Sequence, residues 1–216
     1  MSTIKVPRRQ RLLLLGESWA SYRRLGRCFL DRPAWRITYD HGALEIMTLT
    51  HEHEQLVEIL AALVKTWTRE RGLPLKSGGR TTFRRRDRKR GLEPDGCFWV
   101  ASELAVRSKN RIDLRVDPPP DLVIEVDVTH SSLPRLPIYA GLGFPEVWRL
   151  DGPVLAFNLL QADGTYAPTT HSRALAPLAS ADLARFLQLR GQVDENTIDA
   201  QFRAWVQTLP QLPPSP

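Results

Sequence analysis

Pro120-Asp121-Leu122-Val123-Ile124-Glu125-Val126-Asp127-Val128 is the stretch whose reading decides the fold. It follows a proline run and stops before Thr129-His130-Ser131-Ser132, so it reads as one buried strand between turn signals. Alternation along a strand puts Leu122, Ile124, Val126 and Val128 on one face, and Asp121, Val123, Glu125 and Asp127 on the other. Three carboxylates on one face of an apolar strand are costly unless a cation or a solvated cleft receives them. A second anomaly lies upstream, where Glu93-Pro94-Asp95 opens the apolar run Cys97-Phe98-Trp99-Val100-Ala101. A carboxylate stands there as the chain leaves a turn for a core strand. Between Asp95 and Glu125 there is room for a strand, a loop and a second strand. If those strands pair, their carboxylates converge on one hard cation, and oxygen ligands without a Cys or His cluster favour magnesium or manganese over zinc.

The rest of the composition sets the frame. With 216 residues, 42% hydrophobic and 25% charged, the chain suits a single soluble domain with a sizeable core. Leu12 to Leu15 is far too short to span a membrane and lacks a cleavage-site pattern. Cys28 and Cys97 make neither a disulfide framework nor a metal cluster, which points to a reducing, cytoplasmic setting. The net charge of +6 is concentrated in Arg84-Arg85-Arg86-Asp87-Arg88-Lys89-Arg90, which reads as a loop between strands. Arg84, Arg85, Arg86, Arg88, Lys89 and Arg90 are therefore candidates to grip nucleic-acid phosphates. The competing reading is a solvated hairpin tip.

Periodicity and turn signals divide the chain further. Residues 1–16 read as an irregular lead-in, 17–209 as one domain and 210–216 as a loose tail. Glu17 to Leu25 reads as a short helix, and Trp35 to Tyr39 and Ala43 to Thr48 as two strands joined at His41-Gly42. Thr50 caps a long helix from His51 to Arg71 that Gly72 and Pro74 stop. Leu73 to Arg84 and Gly96 to Ala101 read as strands. A helix from Ser131 or Ser132 through Tyr139 is made awkward by Pro137. Strands at 146–150 and 154–160 and helices at 181–189 and 195–209 complete the pattern.

The order and spacing of several short motifs carry a resemblance. They are Tyr39-Asp40-His41-Gly42-Ala43-Leu44-Glu45-Ile46-Met47, Glu52-His53-Glu54, Glu93-Pro94-Asp95, Asp121-Leu122-Val123-Ile124-Glu125-Val126, Tyr139-Ala140, and Gly143-Phe144-Pro145-Glu146-Val147-Trp148-Arg149-Leu150-Asp151. Together they resemble the Uma-two family of restriction-endonuclease-like proteins within the PD-(D/E)XK nuclease superfamily, over roughly residues 17 to 190. The resemblance implies an α/β, restriction-endonuclease-like fold with a mixed central sheet flanked by helices. It also implies a magnesium- or manganese-dependent endonuclease hydrolysing phosphodiester bonds in DNA. The alternative is a weakened nuclease fold kept as a nucleic-acid-binding or regulatory module. A homodimer is left open.

Carried over residue by residue, Asp95 and Glu125 match the two metal-binding acids. Asp127 stands where the superfamily carries Lys; it either adds a metal ligand or marks a weakened enzyme. Arg135 falls near a helix position where these proteins often carry Lys, and as a fixed cation it supplies charge but no general base. Lys76 is a second candidate cation, against an ordinary salt bridge. Glu54 can hold a metal-bound water, with Glu58 one turn on, and Glu45 and His53 match the family as well. His51 and His53 lie on different faces of a helix and do not suit paired zinc ligation. His130 follows the central strand and is equally suited to a structural role. Neither a phosphate-binding glycine loop nor a Ser-His-Asp pattern is present.

Overall fold

In the computed structural model, which describes residues 11–29, 35–128, 131 and 133–210, the chain builds two sheets. One is five-stranded and antiparallel, in the spatial order β1 (Arg11–Leu14), β3 (Ala43–Thr48), β2 (Trp35–Asp40), β6 (Arg90–Leu92) and β5 (Phe83–Arg85). The other is six-stranded, in the order β11 (Tyr166–Thr169), β10 (Val154–Leu160), β9 (Glu146–Asp151), β8 (Leu122–Asp127), β7 (Gly96–Trp99) and β4 (Lys76–Ser77). It is mixed, because β8 and β9 run parallel while the other pairs are antiparallel. Among the described residues six helices flank them: α1 (Trp19–Cys28), α2 (His51–Glu70), α3 (Glu103–Val106), α4 (Arg135–Leu142), α5 (Ser180–Leu187) and α6 (Glu195–Thr208). The fold class is the one expected from the sequence, with a second sheet added. None of these helices is long and apolar enough to cross a membrane.

β8 lies at the centre, and the two faces read from its alternation are the two faces it has. Leu122, Ile124 and Val126 enter a core with Leu60, Leu63 and Trp67 of α2 and with residues of α5 and α6. Val123 enters a second core on the opposite face, with Ile138, Tyr139 and Leu142 of α4 and with Phe83 and Leu92. Glu125 is on the Val123 face, so its strand position delivers it toward α4. At the start of α2, Thr50 accepts a hydrogen bond from the His53 N–H at 3.2 Å, satisfying one orphan donor. That cap fixes where α2 begins, and hence where His53 and Glu54 sit. A third cluster seats Tyr22 of α1 on Tyr39 of β2.

Several boundaries differ from the sequence reading for identifiable reasons. Residues 11–14, read as part of the lead-in, pair with β3. The single strand expected over Leu73–Arg84 is broken at Gly78-Gly79: Lys76–Ser77 joins one sheet and Phe83–Arg85 the other. A Cβ at Gly78 would meet the Cys97 Sγ at 2.6 Å and the Trp99 ring at 2.7 Å, so only glycine lets the chain pass over β7 here. β6, β11 and α3 have no counterpart in the sequence reading. α4 begins at Arg135, later than expected, with Pro134 at its N-cap. Pro137 therefore falls in the first turn, where no N–H is needed, and is not a distortion.

Candidate active site

Asp95 is fastened to β8 twice. Its N–H donates to the Ile124 carbonyl at 3.1 Å, and its Oδ2 accepts from the Val126 N–H at 2.8 Å. The Pro-Asp turn thus holds Asp95 against the strand that carries Glu125. Oδ1 accepts from Arg36 Nη2 at 3.0 Å, and His53 Nε2 lies 3.0 Å from Oδ2. The other ring nitrogen of His53 is 3.2 Å from Glu54 Oε1, so His53 bridges Glu54 to Asp95. Glu54 is also paired with Arg80.

Glu125 lies beside this group. Arg135 Nε comes within 2.6 Å of its Oε1, and the Tyr139 hydroxyl donates to its Oε2. Arg135 is held from behind: Nη2 donates to the Glu93 carbonyl at 2.7 Å and Nη1 to Thr38 Oγ1 at 3.3 Å. Burial pushes the Asp95 carboxyl up, but the hydrogen bond and charge of His53 and the charges of Arg36 and Arg135 outweigh it, leaving Asp95 well below the usual carboxylate range. For Glu125 burial prevails: it is raised to about 7, with Arg135 opposing and the Asp95 charge adding to the rise. The surroundings thus favour the ionised form of Asp95 and the neutral form of Glu125.

The three carboxylates on one face of the central stretch are satisfied in three different ways. Asp121 accepts from the Val100 and Ser102 N–H groups and the Ser102 hydroxyl, so it closes a turn away from the centre. Glu125 meets Arg135 and Tyr139. Asp127 is paired with Arg149 Nη2 at 2.8 Å, from the neighbouring parallel strand, and lines the same cleft as Glu125 and Arg135. Among the described residues no group of three or more His, Cys, Asp or Glu is placed to hold a metal ion. Asp95 and Glu125 are near enough for the charge of one to be felt by the other, and magnesium commonly uses one or two carboxylates and keeps its waters.

The other sequence candidates separate cleanly. Glu45 is buried and accepts from the Ser131 hydroxyl at 2.5 Å. His51 and Glu58 are exposed on α2, and His130 lies outside the described residues. Lys76 is not a site cation: its Nζ donates to the carbonyls of Val106, Arg107 and Lys109, at the end of α3 and just beyond it. Lys76→Met is therefore expected to lower the unfolding free energy by about 1.5 kcal/mol, read from urea denaturation, because charged donors to three carbonyls are lost. In the basic run, Arg84 lies over the Tyr22 ring, Arg85 is paired with Asp87, and Arg90 with Asp40. A Cβ at Gly141 would run into the Arg90 guanidinium, so a side chain there would displace Arg90 from its place beside α4. Arg86, Arg88 and Lys89 form the exposed hairpin tip.

Sequence reasoning gave no role to Arg36, Thr38, Tyr139 or Arg149. A signal for the first two was present, since Arg36, Thr38 and Asp40 alternate along an otherwise apolar strand. Charged and hydroxyl side chains on one face of a buried strand need partners, and here these are Asp95 and Arg135.

No curated protein matches the chain. The Uma2 family model, described as "Putative restriction endonuclease", matches residues 19–190, a span that contains every residue of this cluster. By that match over most of its length, the chain belongs to the Uma2 (Uma-two) family.

Proposed function

We propose that the chain is an endonuclease that hydrolyses phosphodiester bonds in DNA at the Asp95–Glu125 centre, with magnesium or manganese. The observation that carries this reading is the convergence of two acids, distant in sequence, in one buried cluster of cations. Beside it lies a cleft of about 290 Å³ lined by Glu125, Asp127, Ser131, Arg135, Tyr139 and Arg149 among others. Arg135 Nε lies 2.6 Å from Glu125 Oε1, so an ion held by this carboxylate would use its remaining lone-pair positions. Asp95 and Glu125 would hold the ion, and Asp127 lines the adjoining cleft. When bound, the ion activates a water and offsets charge on the scissile phosphate.

The chain's own residues do the remaining work. His53 and Arg36 keep Asp95 ionised, and Tyr139 orients the Glu125 carboxyl. Arg135, anchored on the Glu93 carbonyl and Thr38, presents a permanent positive charge at the cleft, where a phosphate oxygen would meet it.

One observation favours a second reading. Asp127 replaces the superfamily's lysine and is tied to Arg149, while Arg135 already neutralises Glu125. That arrangement suits a weakened nuclease fold that binds nucleic acid without cutting it. Titrating supercoiled plasmid with magnesium and manganese decides between them. Nicking that appears with the metals and vanishes with chelator is expected. Salt-dependent DNA binding with no nicking at any metal concentration supports the second reading, and neither binding nor nicking overturns both.

A further inference from the structure

The Asp95–Glu125 centre leaves one strongly charged surface unused. An open groove of about 1290 Å³ lies between α1, the β5–β6 hairpin and residues 111–115. Its cations come from three segments that are separate in sequence: Arg23 from α1, four basic residues from the hairpin, and Arg111 and Arg115 from the last segment. The acids in its wall, Asp87 and Asp113, are both engaged, by Arg85 and Arg115. Arg23, Arg86, Lys89 and Arg111 are exposed, and among the described residues no carboxylate pairs with them. A solvated hairpin tip would account for Arg86 and Lys89 alone. It does not account for cations brought to the same concavity by a helix and a distant loop.

The walls of the groove are also fastened to one another. Arg85 Nη1 donates to the Leu114 carbonyl at 2.9 Å, tying the hairpin to residues 111–115. Arg84 lies 5.8 Å over the Tyr22 ring, tying the hairpin to α1. Two arginines thus brace the concavity, and it is lined by four cations that have no carboxylate partner among the described residues. Like charges held together this way repel until a polyanion arrives, and a pre-organised site loses little entropy on binding. The groove wall also communicates with the acid cluster. Thr82 lines the groove and donates to Glu93 Oε1 at 2.6 Å; Glu93 Oε2 lies 3.8 Å from Arg36, which holds Asp95.

We infer that this groove is a track for the phosphate backbone of duplex DNA, with Arg23, Arg86, Lys89 and Arg111 as the phosphate-contacting residues. The inference rests on the reading of the chain as a nucleic-acid enzyme and extends it to a surface away from the reacting acids.

The test is a binding titration of a short duplex across a range of salt, without divalent metal. It compares the parent with the quadruple variant Arg23→Gln, Arg86→Gln, Lys89→Gln and Arg111→Gln. A control removes the same net charge at Lys65, Arg69, Arg173 and Arg203, which do not line the groove. The groove variant is expected to flatten the log–log salt slope by roughly 3 to 4, about 0.9 for each phosphate no longer neutralised, while the control keeps the parent slope. All eight side chains are exposed, and an unchanged melting transition verifies folding in both variants. A groove variant that keeps the parent slope, or a control that loses as much as the groove variant, overturns the groove and leaves the nucleic-acid reading standing. A parent that binds no duplex even at low salt overturns the nucleic-acid reading and the groove with it.

Discussion

Glu125→Gln is expected to lower metal-dependent DNA cleavage by at least about 10²-fold, and Arg135→Ala by about 10²–10³-fold. The first change keeps the shape of the side chain and its contact with Tyr139 but removes a hard anionic donor. The second acts on the same atom from the other side. Glu125 already sits at about 7 because burial outweighs Arg135, and without that guanidinium its carboxyl is driven further toward the neutral acid. Arg135→Ala also removes the one cation anchored on the Glu93 carbonyl and Thr38 at the cleft. Asp127 lines the same cleft, so Asp127→Lys returns a positive charge to the cleft that lost the guanidinium. In the Arg135→Ala background it should recover about tenfold or more, and in the parent much less, because two cations there would be redundant. The measurement is initial rates of plasmid nicking for the four combinations. Rates that are untouched by Glu125→Gln would remove hydrolysis from this centre.

Arg36→Met is expected to destabilise the protein by about 3–5 kcal/mol, the range for stripping one partner from a buried ion pair. Arg36 is 2% exposed and Asp95 4%, so no water is at hand to replace the lost charge. Asp95 would keep the Val126 N–H and His53 but lose its permanent counter-ion. The double variant Arg36→Met/Asp95→Asn should recover much of the loss, since it removes the orphaned charge as well. Urea denaturation of the single and double variants measures both numbers. A loss below about 1 kcal/mol would class the pair with surface salt bridges and contradict its burial.

Much of this architecture was legible in the sequence, and the reason it was legible is local. The alternation of Leu122 to Asp127 needs no knowledge of neighbours to divide two faces, and Thr50 with Glu52 and Glu54 marks a helix start by short-range rules. Asp95 and Glu125 are legible through a motif order and Arg135 through its nearness to a helix position where the family often carries Lys, and the structure brings all three into one cluster. What stayed hidden depends on partners far along the chain. The pairing of Arg36 with Asp95 spans 59 positions, and that of Arg135 with Thr38 spans 97. The split of the Leu73–Arg84 strand between two sheets depends on how close Gly78 comes to Cys97 and Trp99. The basic run reads as uniform in sequence, yet Arg84, Arg85 and Arg90 are engaged within the fold while Arg86, Arg88 and Lys89 are exposed at the hairpin tip.

Arg36 and Thr38 belong to the five-stranded sheet, whereas Asp95 directly precedes β7 and Glu125 lies on β8 of the six-stranded one. The acids, with the cations that neutralise them, are therefore also the bolt between two sheets. In many enzymes the reacting groups are a burden on the fold, and replacing them raises stability at the expense of activity. The Arg36–Asp95 pair predicts the opposite exchange here. A single change that strips one partner from the Arg36–Asp95 pair is expected to loosen the seam between the sheets whatever it does to turnover, whereas exchanging both partners together leaves the seam largely intact.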